Sequence, residues 1–206
     1  MSILNLTHDK LNLKYLKCDH YICEDMSVKH AEKNYRKAKP KEKKDICNHP
    51  CFGYTQIHLG KNPILIVTTP VMKCLFGIRQ SHGDNFGMNL QFSNLVEDLE
   101  MQSFYEFIEK LELLLMKQMG LEEENNVFIS QIKHDKKGKY EPNLSVKVPF
   151  QYNKFQTDIY SDHSSFVSLL NIQSFTMMKC DIYLDKLWKI NDTFHCKWKC
   201  KAIHLV

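Results

Sequence analysis

The spacing of apolar residues changes twice along this chain, and that double change limits the folds open to it. The stretch "GMNLQFS" (87–93) alternates strictly, with Met88, Leu90 and Phe92 on one side and Asn89, Gln91 and Ser93 on the other. A two-residue period of this kind belongs to a half-buried strand. Phe104, Phe107, Ile108, Leu111, Leu115 and Met119 then recur at three- and four-residue steps. That spacing predicts one amphipathic helix from about Glu97 to Met119, ended by Gly120. Alternation returns in "NLSVKVPF" (143–150), where Leu144, Val146, Val148 and Phe150 share a face. "YTQIHL" and "PILIVTT" read as a hairpin through "GKN". "FTMMKCDIYLDKLWKI" and "TFHCKWKCKAIHLV" read as a closing hairpin through "ND", and "SSFVSLLNIQ" suits a short helix. Five to eight strands around one helix predict a mainly β, α+β layout, such as a small β-barrel.

The chain has 206 residues, enough for a single domain over 1–206 with a lysine-rich loop or arm inserted at 29–50. In that arm "YRKAKPKEKKD" has no apolar period and holds a proline, so a mobile excursion is expected. Charge is segregated. Eight basic residues fall between Lys29 and Lys44, nine acidic ones between Glu97 and Glu124, and six lysines between Lys179 and Lys201. Such separation suits a basic surface that meets a polyanion, with an acidic element turned away; solvated faces explain each run equally well on its own. No stretch approaches the roughly 20 apolar residues that span a bilayer, and the first residues lack the pattern of a signal peptide. A cytosolic or nuclear setting is therefore expected, with the eight cysteines as thiols or metal ligands rather than disulfides.

Catalysis finds little support. No phosphate-binding glycine loop, dinucleotide fingerprint or nucleophile elbow occurs, and nothing places a nucleophile beside a candidate base such as His82. A zinc site is a minor possibility: Cys18, His20 and Cys23 on one side of the arm, and Cys47, His49 and Cys51 on the other, could pin its base. Otherwise no cofactor is expected.

The terminal strand carries the clearest physical signal. Phe194, Cys196, Trp198, Cys200 and Ala202 form one face; His195, Lys197, Lys199 and Lys201 form the other. Two-residue spacing sets the lysines about 7 Å apart, close to the phosphate spacing of an extended single strand. Trp198 reads as core, between small apolar neighbours, while the lysines either keep an edge strand soluble or follow phosphates. Trp188 on the partner strand could offer its ring to either side. Lys147, Tyr152 and Lys154 repeat the pairing of lysine with aromatic, the composition with which sequence-tolerant proteins hold unpaired strands.

The order of these pieces, with Thr69, Pro70, Met72, Lys73, Phe76 and Gly77 in "TTPVMKCLFGIRQ" and the late Trp188 and Trp198-Lys199, resembles one family over roughly Tyr54 to Val206. It is that of the OB-fold single-stranded DNA-binding proteins of nucleocytoplasmic large DNA viruses, related to the podophage replication proteins. The resemblance implies a five-stranded barrel plugged by the helix, no catalytic activity, and coating of strands exposed in viral DNA replication, recombination or repair. It places Lys73 and Arg79 beside the groove, with Lys197, Lys199 and Lys201 lining it. Pro70 and Gly77 would bend the chain out of the barrel wall, and Phe76 would anchor the bend or stack on a base. The implied setting is a host's cytoplasmic viral factory or nucleus. Two features depart from the pattern. Leu75 stands where proline is expected, and the basic, apolar "CKWKCKAIHLV" replaces the acidic tail with which phage members recruit other replication proteins. The alternatives are a structural or virion protein on the same barrel, or a zinc-stapled RNA-binding protein.

Overall fold

Five strands close on themselves into a barrel in this computed structural model, which describes residues 6–11, 13–18, 22–23, 53–59, 61, 64–119, 127–161, 168–190 and 193–206. Strand β1 runs in two halves, Leu65–Thr68 and Met72–Cys74. It is followed by β2 (Phe86–Gln91), helix α1 (Leu99–Gln118), β3 (Asn143–Val148), β4 (Thr176–Leu184) and β5 (Trp198–Leu205). β1 pairs antiparallel with β2 and β4, β2 with β3, and β4 with β5. β3 and β5 run parallel. The cyclic order 1-2-3-5-4-1 with one parallel pair is that of an OB barrel.

The alternations read in the sequence set the wall. Met88, Leu90, Leu144, Val146, Val148, Trp198 and Cys200 all point into the core, and the polar residues between them face out. Burying one large side chain contributes about 1.5–3 kcal/mol, so a one-residue slip of any strand would exchange core for solvent and is strongly disfavoured. α1 begins where the Asp98 carboxylate accepts from the amides of Glu100 (2.9 Å) and Met101 (3.0 Å), satisfying donors that the first turn leaves open. Its apolar stripe, Phe104 to Leu115, packs on the end of β2 through Phe92, whose ring lies 6.0 Å from that of Phe104. No helix among the described residues is long and apolar enough to cross a membrane.

Two expectations are corrected. Pro70 does not lead the chain out of the wall. Thr68 opposes Asp181 and Met72 opposes Met178, so β1 carries one extra residue and bulges there. Proline fits because it has no amide to donate, and Thr69 keeps the ladder intact: its amide donates to the Cys180 carbonyl (2.9 Å) while its hydroxyl accepts from the Cys180 amide (3.0 Å). The chain leaves the wall only after Cys74, near Gly77, whose positive φ and close approach to the Ile172 carbonyl leave no room for a β-carbon.

Nor do "YTQIHL" and "PILIVTT" pair. Both edges of Leu65–Thr68 are taken, by β4 and by a parallel strand at Leu6–Thr7. Gly53–Leu59 instead joins a second sheet built on the far end of the closing hairpin, next to Lys186–Ile190. That strand pairs with Thr193–Cys196, so the terminal hairpin is continuous through both sheets. The lysine-rich arm at 29–50 and the candidate ligands His20, Cys47, His49, Cys51 and the Cys23 side chain lie outside the described residues. The Cys18 and Cys23 backbones both pair with Gly53–Leu59.

Candidate nucleic-acid interface

A single register row crosses the outer face of the barrel. Arg79, on the short strand Arg79–Gln80, opposes Gly87 of β2; Gly87 opposes Lys147 of β3; Lys147 opposes Lys199 of β5. Neighbouring strands lie about 4.8 Å apart, so residues remote in sequence form one transverse line. In the adjoining row Asn89 opposes Ser145, with the Asn89 amide donating to the Asn143 side-chain oxygen at 2.7 Å. These rows floor a groove of about 440 Å³, walled by Arg79 and Gln80 at one end and by Lys197 and Gln131 at the other. No carboxylate among the described residues lines it.

The electrostatics follow from that composition. Among the described residues Arg79, Lys147 and Lys197 have no acidic partner within ion-pair distance. Burial, followed by the charges of Lys197 and Lys199, pushes the Lys147 ammonium below the ordinary lysine range. His195 is likewise held low, first by burial, then by Lys197 and Lys133. Crowded cations of this kind favour an incoming anion. A larger cavity of about 590 Å³ beside α1 differs in this respect: it mixes Asp9 and Glu106 with Lys14 and Lys110, and Lys110 pairs with Glu106 at 3.4 Å.

The structure gathers some of the sequence-predicted residues and separates others. Arg79, Lys147 and Lys197 line the groove, and Lys199 extends their row. Lys199 is engaged, however, by Asp185 at 2.7 Å. Lys73 opposes Gln91 on the same outer surface, beyond the Asn89 row. Lys201 lies further along β5, outside the lining. Phe76 is 46% exposed and carries the Arg79 guanidinium 4.6 Å above its ring centre. Tyr152 is 97% exposed at the tip of the hairpin formed by Phe150–Gln151 and Lys154–Phe155. Tyr152 and Asn153 both take positive φ there, as a tight two-residue turn requires. Lys154 is exposed on the same hairpin, which Phe150 and Phe155 clamp to Phe86 at 5.0 and 4.8 Å.

Trp188 is not brought into the groove. It packs on Tyr54 at 5.1 Å in the second sheet, with the Lys186 ammonium 3.7 Å from the Tyr54 ring centre. Sequence reasoning missed Gly87, Asn89, Ser145 and Gln131. The first three are the outward members of alternating strands, a signal visible in the pattern, but only the β2–β3 register shows that they adjoin Arg79 and Lys147.

No protein-family model matches the chain, and no curated protein matches it significantly. Among solved structures the chain is similar to the crystal structure of gp2.5, a single-stranded DNA-binding protein encoded by bacteriophage T7. The TM-score is 0.44 at 12% sequence identity, covering 69% of this chain and 86% of that one.

Proposed function

We propose that this chain is a non-enzymatic, sequence-tolerant single-stranded DNA-binding protein that holds its ligand across β2 and β3. The observation that carries the proposal is the groove, lined by no carboxylate among the described residues, in which Arg79, Lys147 and Lys197 converge on a polar floor. In OB barrels the surface of the second and third strands is where oligonucleotides lie. Phosphate contacts supply most of the affinity for a polyanion, and exposed rings add about 1–3 kcal/mol for each base they stack. Phe76, beneath the Arg79 guanidinium, and Tyr152, on the hairpin that follows β3, are exposed rings in segments adjoining these strands. A role on strands exposed during viral DNA replication, recombination or repair, in a host's cytoplasmic factory or nucleus, extends this reading on the strength of the sequence resemblance. Partners other than DNA are left to that same extension.

The test is direct titration of a fluorescein-labelled oligo-dT, followed by anisotropy at low salt, with duplex of equal length as competitor. Saturable binding that the duplex displaces only weakly is expected. Failure to bind, or equal displacement by duplex, would rule the reading out.

A further inference from the structure

We propose that Gly87 is a phosphate seat, the point at which a backbone phosphodiester of the bound strand meets the barrel wall between Arg79 and Lys147. The inference rests on the single-strand reading above and adds to it a residue that works by having no side chain. In the register row Gly87 stands between the two cations. Two strand spacings put the Arg79 and Lys147 backbones about 10 Å apart with bare main chain between them. A phosphate with donors on both sides fits such a gap, and Lys197 lines the same groove.

Glycine inside a strand weakens it and needs a reason. Two of the usual ones, a bulge in the β2–β3 pairing and a left-handed backbone, are missing here. The β2–β3 register runs without a shift from Phe86 to Gln91, while on the other edge of β2 the paired segment steps out between Cys74, opposite Leu90, and Arg79, opposite Gly87. The positive-φ glycines are Gly77, Gly83 and Gly138, so the backbone of Gly87 does not demand glycine. A β-carbon at 87 would lie 3.3 Å from the Val146 carbonyl oxygen, a tight contact that would require the β3 main chain to give by a few tenths of an ångström. Glycine at 87 thus eases the approach of the Val146 main chain, and on the groove side, where no other heavy atom lies within 4 Å of that β-carbon position, it leaves room for something outside the chain.

The lining also says which part of a nucleotide comes down there. Its two rings, Phe86 and Trp198, are only 9% and 1% exposed, so neither offers a face for stacking. The floor instead presents Asn89, Ser145 and Lys147. The strand therefore lies backbone inward, with its bases toward the rings at the edge, Phe76 under Arg79 and Tyr152 on its hairpin. Such a geometry reads no base edges, which accounts for sequence tolerance.

Two measurements test the seat. In the wild-type protein, the Gly87 amide followed by ¹⁵N NMR should shift early in a titration with oligo-dT and much less with inorganic phosphate at equal phosphate concentration. A silent Gly87 in a protein that binds oligo-dT overturns the seat and leaves the single-strand reading standing. An equal response to inorganic phosphate marks a general anion site and overturns it too. Separately, Gly87→Leu should weaken oligo-dT binding about tenfold or more and lower the salt slope by about 0.7, the loss of one phosphate contact. Gly87→Ala should cost about threefold or less. Folded Gly87→Leu that binds like wild type contradicts the proposal. Should that variant fail to fold, Gly87→Thr, a good strand former, carries the same expectation, and the NMR result stands without either.

Discussion

Lys197, in the break before β5, and Lys199, within β5, stand two residues apart yet meet different surroundings. Lys197 opens onto the groove with Arg79 and Lys147, and no carboxylate among the described residues lines that space. Lys199 lies at the seam between β4 and β5, where Asp185 Oδ2 accepts from its ammonium at 2.7 Å. Asp185 is itself held in place, since its carbonyl accepts from the Ile57 amide at 2.9 Å. Further along the seam Asp181 accepts from the Thr68 hydroxyl at 2.6 Å and pairs with His204 at 3.3 Å, and the His204 ring stacks on Tyr160. In the seam Lys199 and His204 each meet a carboxylate, and these contacts knit strands together. In the groove the cations crowd with no carboxylate among the described residues at ion-pair distance, which costs the folded state repulsion and favours an anionic ligand. Two lysines in identical sequence patterns thus do different work, according to what faces them.

Charge reversal should separate the regions most strongly. Lys147→Glu with Lys197→Glu is expected to weaken oligo-dT binding on the order of a hundredfold, since each lost charged hydrogen bond is worth about 1.5–3 kcal/mol. Anisotropy titration at low salt would show it, and a loss below about fivefold would erase the distinction. Phe76→Ala comes next, with about a tenfold loss from one stacking ring; retention of full affinity would mean the ring serves only to position Arg79. Lys199→Ala should do the opposite of the groove variants. It leaves Asp185, whose Oδ1 is already buried without a hydrogen bond among the described residues, with no cation either. A stability loss of about 1–2 kcal/mol in denaturant unfolding is expected, between exposed and buried pairs, with binding changed by about threefold or less. The smallest effect is protonic. Lys147 titrates below the ordinary lysine range when unliganded, and a bound phosphate would raise it again. Binding at alkaline pH should therefore take up protons, and affinity should fall as pH rises through that window. Calorimetry in two buffers of different ionisation enthalpy measures the uptake, and Lys147→Arg should abolish it.

Local features of this architecture are legible in the sequence, and non-local ones are not. The three- and four-residue spacing from Phe104 to Leu115 located α1 within two residues of its ends, Leu99–Gln118 against an expected Glu97 to Met119. Alternation named the buried faces of β2, β3 and β5, including Trp198 as core. The misplacement of Gly53–Leu59 has a different origin. "GKN" is a good turn, but the choice of partner depended on which strand edges the rest of the fold left open. The candidate site divides along the same line. Lys147 and Lys197 are visible as lysines opposite an apolar face. That Arg79 and Gly87 join Lys147 in one row is a matter of register between segments about 60 residues apart in sequence. The capture of Lys199 by Asp185 depends on the break between β4 and the distal strand Lys186–Ile190, which no periodicity marks.

The salt dependence of oligo-dT binding tests the central claim most directly, because it counts the cations that phosphates engage. The slope of log K against log salt changes by about 0.7 for each phosphate contact on a single strand. Replacing Arg79, Lys147 and Lys197 together by alanine should flatten it by about 2, whereas Lys199→Ala should leave it nearly unchanged. An unaltered slope in the triple variant, or an equal change on losing Lys199 alone, would contradict the assignment of the groove.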